Sequence, residues 1–527
     1  MNETTVGETT VGEALVGLLE AYGVDTIFGI PGVHNVEMYR ALPRSKIKHI
    51  LTRHEQGAGF MADGYARATG KTGVCFTISG PGLTNILTPM AQAWSDSSNL
   101  LVISSALDVV DSAQGRGRLH EMIDQHGAAK SVTSLAMRAY TARDVQDGLA
   151  RAFSHFASAR PRPAYIEIPL DLFTKPAGSG WRTEAPARRP SPHGTDISTA
   201  VMHLQNAKSP MIVLGGGALG AGYEALEIAE KLGAPILTTT AGKGAVPAHH
   251  PGCWGYCLAS PDIQKQLSES DCVLAVGTEL SETDFWTTDF RLDGNLIRID
   301  IDPSSLARPH GAKLAILADA VEALTRLARN INATGKLLPA KPVAQQLDPL
   351  GNMLAKVLGV IRDSLSEDTV IASDMTQIAY AANVIFPVHK PRTWLHPVGF
   401  GTLGFALPAA IGAKFGVGQT PVVALAGDYG FQYTVNELGT AVEHKLPLPI
   451  LLWNNTALGQ IRDDMVNKGI QPNAVTLRNP DFQALGRAYG ARAEKPDNLT
   501  ALAKAIAASL KADGPTIIEM SEAMVRG

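Results

Sequence analysis

The chain has 527 residues, of which 45% are hydrophobic and 18% are charged. Because this length exceeds what one hydrophobic core organises, we expect about three globular domains of roughly 150–200 residues each, without extended disorder. The formal net charge of −4 provides no basic surface for a polyanion, so we expect no nucleic-acid partner.

The N-terminal segment and the cysteines indicate the cellular compartment. The first residues, MNETTVGETTVGE, are acidic and polar, and no apolar run approaches the roughly 18 residues that span a bilayer. We interpret the short repeat at residues 3–13 as a frayed leader. The four cysteines are scattered, and Cys253 and Cys257 are expected to be packed thiols rather than zinc ligands. We therefore expect a cytoplasmic protein with no membrane segment.

Short aliphatic runs alternate with longer amphipathic segments along the chain. The apolar spacing predicts a helix over Val11–Tyr22, a strand over Thr26–Gly29 and further alternation to about Pro169. A segment rich in Pro, Gly, Ser and Arg at residues 176–195 predicts a linker. The first domain is therefore predicted to cover residues 1–175.

Two more units of the same kind follow. Their predicted strands are at residues 210–214, 272–277, 296–302, 370–372, 422–425 and 450–453, and their clearest helices are at 222–232 and 320–329. A second linker is predicted at residues 333–349. The pattern thus predicts a middle domain over 196–332, a C-terminal domain over 350–527, and an α/β fold of three doubly wound parallel-sheet domains.

A glycine-rich turn follows one strand of the third unit. Gly427-Asp428-Tyr429-Gly430 comes directly after the strand VVALA, and Asn455 ends the neighbouring apolar run. Open α/β sheets bind ligands at the carboxyl ends of their strands, and hard oxygen ligands suit Mg²⁺. The two glycines would let backbone N–H groups approach a phosphate, with a helix beginning near residue 435 adding its positive end. Alone, such a turn is more often a tight loop than a metal site.

With Asn454-Asn455 downstream, the turn resembles the cofactor motif of the thiamine-diphosphate enzyme family, Gly-Asp-Gly followed by Asn-Asn. Tyr429 departs from that motif at its third glycine. The resemblance implies that the whole turn and Asn455 bind thiamine diphosphate. It also implies that Asp428, the Asn455 side chain and the backbone carbonyl of Ala457 hold Mg²⁺.

A second motif lies in the first domain, at Arg53-His54-Glu55-Gln56-Gly57. A lone glutamate in such a place is ordinarily an exposed residue at a helix N-terminus, where the helix dipole favours it. This segment, however, resembles the acetolactate synthase branch of the family. The resemblance implies that Glu55 is the catalytic carboxyl that hydrogen-bonds N1′ of the aminopyrimidine, with which a buried carboxyl can share a proton.

Three glycine-rich segments resemble other loops around the cofactor in this family, although each alone would more often be a simple turn. Those at residues 28–32 and 79–85 resemble loops at the pyrimidine end and imply that Pro31 and Asn85 are cofactor contacts. The segment at residues 401–410 resembles the one that props the cofactor, with Gly401 as a contact and Leu403 as an apolar wedge. Because the family builds each site from two subunits, the resemblance implies at least a homodimer, with a homotetramer expected.

Two reactions are open to such an enzyme, and both begin when a 2-oxo acid loses CO₂ with the bound cofactor as electron sink. A decarboxylase then releases an aldehyde, whereas an acetolactate synthase joins a second 2-oxo acid. Synthases also bind FAD through Gly-Ala-Arg-Phe-Asp-Asp-Arg, but here the corresponding stretch, GTELSETD at residues 277–284, has no arginine and has gained acids. FAD is therefore doubtful. A non-catalytic homologue is a third alternative, against which the intact Glu55, Asp428 and Asn455 argue.

Local differences from the synthases bear on the substrate. Asp463 and Asp464 replace the Gln and Trp of the synthase channel, and they are either a solvated charge pair or a site for a cationic substrate tail. Overall similarity indicates the acetolactate synthase-like branch, but these local differences point away from synthase activity. With its general similarity and these acids, the chain most resembles decarboxylases of 5-guanidino-2-oxopentanoate (2-ketoarginine). We therefore expect non-oxidative decarboxylation of such a 2-oxo acid, with acetolactate synthase-type carboligation as the alternative.

Two histidines are candidates for handling protons or contacting the substrate, because their unperturbed pKa lies near neutrality. His120 occupies the position of a substrate-facing Gln in the synthases, and it is our candidate catalytic histidine. His34 follows the Pro31-Gly32 loop and is a candidate substrate contact. The alternative for each is an ordinary packed or surface residue.

Overall fold

The computed structural model describes residues 9–112, 114–292, 294–307, 309–342 and 347–526. Within these ranges the chain forms two compact units. The first contains the residues up to 188 together with 400–419 and 434–446, and the second contains 189–399, 420–433 and the residues from 447 onward. The chain therefore leaves the first unit and returns to it twice.

The elements are numbered in chain order. The strands are β1 (Thr26–Gly29), β2 (Lys48–Leu51), β3 (Gly73–Thr77), β4 (Leu100–Ala106), β5 (Leu135–Arg138), β6 (Ala164–Pro169), β7 (Pro210–Leu214), β8 (Ile236–Thr238), β9 (Cys253–Gly255), β10 (Cys272–Val276), β11 (Leu296–Asp300), β12 (Leu314–Leu317), β13 (Val370–Ser373), β14 (Trp394–Leu395), β15 (Val422–Gly427), β16 (Pro449–Trp453), β17 (Arg492–Glu494) and β18 (Thr516–Met520).

The α-helices are α1 (Val11–Ala21), α2 (Val36–Tyr39), α3 (Glu55–Thr69), α4 (Pro81–Ser95), α5 (Gln125–Lys130), α6 (Ala142–Ser158), α7 (Leu170–Phe173), α8 (Gly194–Asn206), α9 (Gly222–Leu232), α10 (Pro261–Glu269), α11 (Glu282–Phe285), α12 (Pro303–Ala307), α13 (Ala320–Asn330), α14 (Pro349–Asp363), α15 (Gln377–Ile385), α16 (Ala406–Val417), α17 (Asp428–Tyr433), α18 (Leu438–Glu443), α19 (Gly459–Asn467), α20 (Phe482–Tyr489), α21 (Leu499–Ser509) and α22 (Glu522–Arg526). Short 3₁₀ helices lie at Leu42–Arg44, Gly216–Ala218 and Val435–Glu437.

The strands form three six-stranded sheets in which the neighbouring strands are parallel. Their spatial orders are β2-β1-β3-β4-β6-β5, β12-β11-β10-β7-β8-β9 and β14-β13-β15-β16-β18-β17. The central strands β3, β4, β7 and β15 are buried at every residue, as expected when helices cover both faces of a sheet. The prediction of three doubly wound parallel-sheet domains is confirmed, while the domain boundaries stay predictions.

The start of the chain differs from the sequence prediction. Thr10 Oγ1 accepts a hydrogen bond from the Glu13 N–H at 3.3 Å, and the Glu13 carboxylate accepts the Thr10 N–H at 3.1 Å. This capping box fixes the beginning of α1. The interpretation of residues 3–13 as a frayed leader is therefore wrong for residues 10–13, and residues 3–8 lie outside the described ranges.

The segment after β15 is also more ordered than its sequence indicated. Helix α17 begins at Asp428 itself, and α18 begins only at Leu438. The predicted helix start near residue 435 is confirmed, since the 3₁₀ helix Val435–Glu437 leads directly into α18. Helix α17 was not predicted, because the glycine-rich turn lacks the apolar spacing by which a helix is recognised. None of the helices in the described ranges combines the length and hydropathy needed to cross a lipid bilayer.

Helices α3 and α16 pack backbone to backbone within the first unit. A Cβ atom at Gly412 would lie 1.8 Å from the carbonyl oxygen of Met61, and one at Gly64 would lie 2.1 Å from that of Ala409. Contacts this close leave no room for a side chain. Helix α3, which carries Glu55 at its first position, is therefore fixed against α16.

The variant Gly412→Ala should lower the free energy of unfolding by about 1–3 kcal/mol, because its methyl group must separate the two helices. Gly359→Ala is the matched control, since a Cβ at this helical glycine of α14 meets no atom within 4 Å. That variant should instead gain about 0.5–1 kcal/mol. Denaturant midpoints measure both effects, and an unchanged midpoint for Gly412→Ala would contradict the close packing.

Candidate functional site

Glu55 stands at the first position of α3, after the turn that follows β2. Only 8% of the residue is exposed, so it is not the solvated residue that a helix N-terminus ordinarily carries. Asn85 Nδ2, on α4, donates a hydrogen bond to Glu55 Oε2 at 2.9 Å. Among the described residues no hydrogen bond reaches Oε1, so this oxygen is available to a donor from a ligand.

Glycines keep the loop between β3 and α4 compact beside this carboxyl group. A Cβ at Gly82 would lie 2.8 Å from Ile78 Cγ2 and 3.5 Å from Glu55 Oε1. Gly80 has a φ of 63°, which L side chains rarely adopt, and its N–H donates to Gln125 Oε1 at 2.9 Å. The loop thus approaches Glu55 without a side chain intervening.

His34 and His120 meet at the same loop. His34 Nδ1 lies 2.8 Å from Ser79 Oγ, and the two imidazole rings pack edge to face with their centroids 4.8 Å apart. Burial, and then the neighbouring His120, lower the pKa of His34 and favour its neutral form.

The conformation of His120 is unusual. Its φ is 63°, in the left-handed region, and its Nδ1 is buried with no hydrogen-bond partner among the described residues. Strained backbone and unsatisfied buried nitrogens are often found together where a residue serves a ligand. The role of His120 stays a prediction.

The remaining predicted contacts of the first unit lie in two loops. Pro31 lies in the turn after β1, which Asn35 closes by accepting from Gly32 N at 2.7 Å. Gly401 and Leu403 flank Thr402, whose N–H and hydroxyl donate to Gln92 Oε1 at 3.1 and 2.9 Å. Gln92 and Asn85 share helix α4. This helix therefore holds both the partner of Glu55 and the segment at residues 401–403.

In the second unit, Asp428 lies at the carboxyl end of β15 and is 2% exposed. Its Oδ2 accepts from Asn479 Nδ2 at 2.6 Å and from Thr456 N at 2.8 Å, and its Oδ1 accepts from Tyr429 N at 3.0 Å. Burial raises the pKa of Asp428, while these hydrogen bonds oppose the rise. A cation beside the carboxylate would offset the cost of burying its charge.

The two asparagines after β16 have different partners. The register places Gly427 opposite Trp453, so Asp428 and Asn454 leave adjacent strands side by side. Asn454 Nδ2 donates to Glu519 Oε1 at 2.9 Å, and its Oδ1 accepts from Asn479 Nδ2 at 3.0 Å. Asn454 is thus an anchor of the turn.

The side chain of Asn455 forms hydrogen bonds with Gln377 and with the backbone that follows it. Its Nδ2 donates to Gln377 Oε1 at 3.0 Å, and its Oδ1 accepts from Ala457 N at 3.1 Å. The backbone after Ala457 is held in place by a hydrogen bond from Leu458 N to Val475 O at 2.9 Å. Asp428, Asn455 and Ala457 therefore lie in adjoining turns at one edge of the sheet, and their role as metal ligands stays a prediction.

The glycine-rich turn fits this edge closely. A Cβ at Gly430 would lie 2.9 Å from Asp374 Oδ2, and one at Gly427 would lie 2.7 Å from Thr376 Oγ1. Tyr429, in contrast, lies within α17, and its ring packs against Tyr433 with centroids 5.4 Å apart. A side chain is therefore accommodated where the family motif has its third glycine.

The two acidic residues on α19 lie next to this group. Gln377 Nε2 donates to Asp463 Oδ2 at 3.1 Å while its Oε1 binds Asn455, so one side chain links the acid to the predicted metal ligand. Arg462 forms an ion pair with Asp463 at 2.9 Å. Asp464 accepts from Gln460 Nε2 at 3.1 Å and has no ion pair among the described residues. Both acids are half-buried rather than fully solvated.

Asn479 and Gln377 were not among the site residues predicted from the sequence. Asn479 is 51 positions from Asp428, and Gln377 is 78 positions from Asn455. Neither belongs to a motif, and no local pattern marks a polar residue whose partner lies that far along the chain. The Asn-Pro step at 479–480 is by itself typical only of a turn.

The sequence made FAD binding by the middle domain doubtful. In the glycine-rich loop after β7, backbone N–H groups already have backbone partners: Gly215 N donates to Val276 O at 2.9 Å, and Gly217 N donates to Gly277 O at 3.0 Å. The buried Arg298 donates to the carbonyl oxygens of Thr278 and Glu279 at 2.9 and 3.2 Å. These donors are directed at the protein's own backbone, so the loop is a poor fit to a flavin diphosphate.

The variant Asn454→Asp should lower the free energy of unfolding by about 1–3 kcal/mol, because it replaces the donor to Glu519 by a second carboxylate. Asn455→Asp, the matched control, should lose less, since its partner Gln377 is neutral and can turn its amide to donate to the new carboxylate at the cost of one hydrogen bond to Asp463. Denaturant midpoints without cofactor compare the two variants. Equal midpoints would contradict the anchoring role of Asn454.

Three family profiles match the chain in order. Residues 9–128 match "Thiamine pyrophosphate enzyme, N-terminal TPP binding domain", residues 197–327 match the central domain, and residues 374–520 match the C-terminal TPP binding domain. The matches include both predicted half-sites, the one around Glu55 and the one around Asp428 and Asn455.

Individual relatives extend over nearly the whole chain. The "Probable 2-ketoarginine decarboxylase AruI" of Pseudomonas aeruginosa is 45% identical over 97% of this chain and 94% of its own length. The acetolactate synthase large subunit of Corynebacterium glutamicum is 33% identical over 90% of this chain and 80% of its own length. A solved structure from Mycobacterium smegmatis, described as a thiamin diphosphate-dependent enzyme, superposes with a TM-score of 0.85 at 24% identity, covering 98% of this chain and 99% of its own. That structure has the same fold, and the chain belongs to the thiamine pyrophosphate enzyme family, with an acetolactate synthase-like sequence.

Proposed function

We propose that the protein is a thiamine-diphosphate- and Mg²⁺-dependent decarboxylase that converts a 2-oxo acid to an aldehyde and CO₂, with 5-guanidino-2-oxopentanoate as its substrate. The observation that carries this proposal is the chain of hydrogen bonds from Asp463 through Gln377 to Asn455, which joins an acidic patch to the cofactor end of the sheet. The 45% identity to a relative named as a 2-ketoarginine decarboxylase supports the same substrate.

The metal is proposed to bind Asp428, the Asn455 side chain and the carbonyl oxygen of Ala457. Mg²⁺ prefers hard oxygen ligands, completing its octahedron with phosphate oxygens or water. The buried Asp428 carboxylate, surrounded by N–H donors, suits this role, and the backbone of the turn from Gly427 through Tyr429 to Gly430 would lie beside the diphosphate.

Glu55 is proposed to hold and return a proton at N1′ of the aminopyrimidine through its available Oε1. Asn85 would keep the carboxyl group oriented through its bond to Oε2. When bound, the cofactor supplies the electron sink for loss of CO₂. Pro31, Gly401 and Leu403 are proposed to contact the cofactor without taking part in proton transfer.

The histidine pair is proposed to act on the substrate. His120, whose Nδ1 has no hydrogen-bond partner among the described residues, is proposed to move a proton at the substrate, as the enzyme must do to release an aldehyde. His34, tied to Ser79 and kept neutral by burial, is proposed to orient the substrate. The edge-to-face contact would hold the two imidazole rings in a fixed orientation relative to each other.

The acids on α19 are proposed to bind the cationic tail of the substrate. A guanidinium donates paired N–H groups that match carboxylates, and the pairing strengthens away from water. Because Arg462 already neutralises Asp463, Asp464 is the stronger partner. The negative charge of Asp464 also acts on Tyr380. Burial, and then the charges of Asp374 and Asp464, raise the pKa of Tyr380 to about 12.

The assembly and compartment complete the proposal. We propose a cytoplasmic homotetramer built from dimers, in which Glu55 of one subunit and Asp428 of another serve the same cofactor. No FAD is needed for decarboxylation, and the donor groups of the middle-sheet loop are already engaged by backbone.

The test is a panel of 2-oxo acids given to the purified protein with thiamine diphosphate and Mg²⁺. We expect CO₂ and aldehyde in equal amounts from 5-guanidino-2-oxopentanoate, with a kcat/KM at least about tenfold above that for pyruvate. Acetolactate formed from pyruvate alone would instead support the carboligase alternative and overturn the decarboxylase.

The variant Asp464→Asn should raise KM for the guanidino acid about tenfold, because it removes the ionic partner of the tail, and should leave KM for pyruvate unchanged. Asp463→Asn is the matched control with a smaller expected effect, since Arg462 already neutralises that carboxylate. A loss that is equal for both substrates would contradict tail recognition.

The variant Asn479→Ala should weaken Mg²⁺-dependent binding of thiamine diphosphate about 10–100-fold, because Asp428 loses the donor that orients it. Asn473→Ala removes an exposed amide that donates only to Gln471 O among the described residues, and it should have no effect. Titration calorimetry measures both affinities, so the result does not depend on turnover. An unchanged affinity in Asn479→Ala would rule out this orienting role.

A further inference from the structure

Glu437 is a buried carboxylate of the first unit that the proposed chemistry does not use. It ends the 3₁₀ helix Val435–Glu437, and none of its surface is exposed. Its Oε1 accepts the backbone N–H groups of Arg53 at 3.1 Å and His54 at 3.0 Å, and Arg53 N also lies 3.2 Å from Oε2. These are the two residues immediately before Glu55.

The position of these N–H groups explains why a remote carboxylate is needed. Strand β2 ends at Leu51 and α3 begins at Glu55, so residues 52–54 form the turn between strand and helix. The first N–H groups of a helix and of the turn before it have no partner within the helix. His54 caps the helix locally, with its Nδ1 accepting from Gln56 N at 3.1 Å. Glu437 satisfies two further donors, and its negative charge suits the N-terminal end of α3.

The side chain of Glu437 is also packed tightly against the first turn of α3. A Cβ at Gly57 would lie 2.1 Å from Glu437 Oε1, 2.4 Å from its Cδ and 2.7 Å from its Cγ. Only glycine leaves room for the carboxylate at this place. The turn at residues 52–54 and the first turn of α3 are therefore both located by one side chain.

Glu437 is itself held in place by its own helix and the next. Thr440 Oγ1 donates to its Oε2 at 2.8 Å and Asn436 Nδ2 to its Oε1 at 3.2 Å. Burial raises the pKa of Glu437 to about 7, while the hydrogen bonds from Thr440, Arg53 and His54 favour the carboxylate. At the other end of α18, Glu443 pairs with the Arg53 guanidinium.

We propose that Glu437 is a positioning residue for Glu55. By binding the N–H groups of the turn, it fixes the backbone from which the Glu55 side chain projects, and so aims the Glu55 carboxyl group at the aminopyrimidine. This inference rests on the proposed role of Glu55 as the group that hydrogen-bonds the cofactor.

The experiment is a double-mutant cycle between Glu437→Ala and Glu55→Gln, read as the dissociation constant of thiamine diphosphate at saturating Mg²⁺ and as kcat and KM. Alone, Glu437→Ala should weaken cofactor binding and lower kcat about 10–100-fold, with little change in KM. In a protein that already carries Glu55→Gln, it should cause less than about a threefold further loss in either quantity. Independent roles would instead give additive losses.

Two further variants keep the test decisive. Glu437→Gln retains an oxygen that can accept from Arg53 and His54, so it should stay within about fivefold of the wild type even if Glu437→Ala fails to fold. Glu443→Ala removes only the exposed ion pair with Arg53 and should change neither quantity measurably.

The outcomes separate the inference from the function on which it rests. Wild-type turnover and cofactor affinity in Glu55→Gln would overturn the role of Glu55 itself. A large loss in Glu55→Gln together with full additivity, or a Glu437→Gln loss as large as that of Glu437→Ala, would leave the function intact and overturn the positioning role of Glu437.

Discussion

The proposed chemistry depends on two carboxylates that are held out of water where a strand turns into a helix. Glu55 is 8% exposed and Asp428 is 2% exposed. Burying an ionised carboxylate costs several kcal/mol unless hydrogen-bond donors or a cation surround it. Asn85 supplies the donor for Glu55, and Asn479 supplies one for Asp428 together with backbone N–H groups. These hydrogen-bond donors offset part of the cost of burying the two carboxyl groups.

Parallel sheets explain why these groups stand where they do. The carboxyl ends of adjacent strands reach the same edge, so the register of β15 with β16 is enough to bring the turn at Asp428 beside Asn454 and Asn455. On α19, Asp463 is then linked to the same edge through Gln377. The proposed cofactor site and the proposed tail site are therefore neighbours at one edge of the sheet.

The sequence predicted the elements that have a strong local pattern. The strand at residues 210–214 and the helix at 222–232 have the predicted bounds, because short aliphatic runs and amphipathic spacing are local signals. The motif turn and the asparagine pair were also found from sequence, with their positions at adjacent strand ends. The helix starting at Asp428 was not, since glycine-rich turns carry no apolar spacing. The contact between Glu437 and Arg53, 384 positions apart, was beyond any local pattern.

The most direct measurement is an experimental structure of the protein with thiamine diphosphate and Mg²⁺ bound. We expect Mg²⁺ at about 2.0–2.1 Å from oxygens of Asp428, Asn455 and Ala457, and Glu55 of one subunit within hydrogen-bond distance of N1′. A cofactor bound away from Asp428 and Asn455, or a Glu55 distant from the aminopyrimidine in every pair of subunits, would contradict the proposed site.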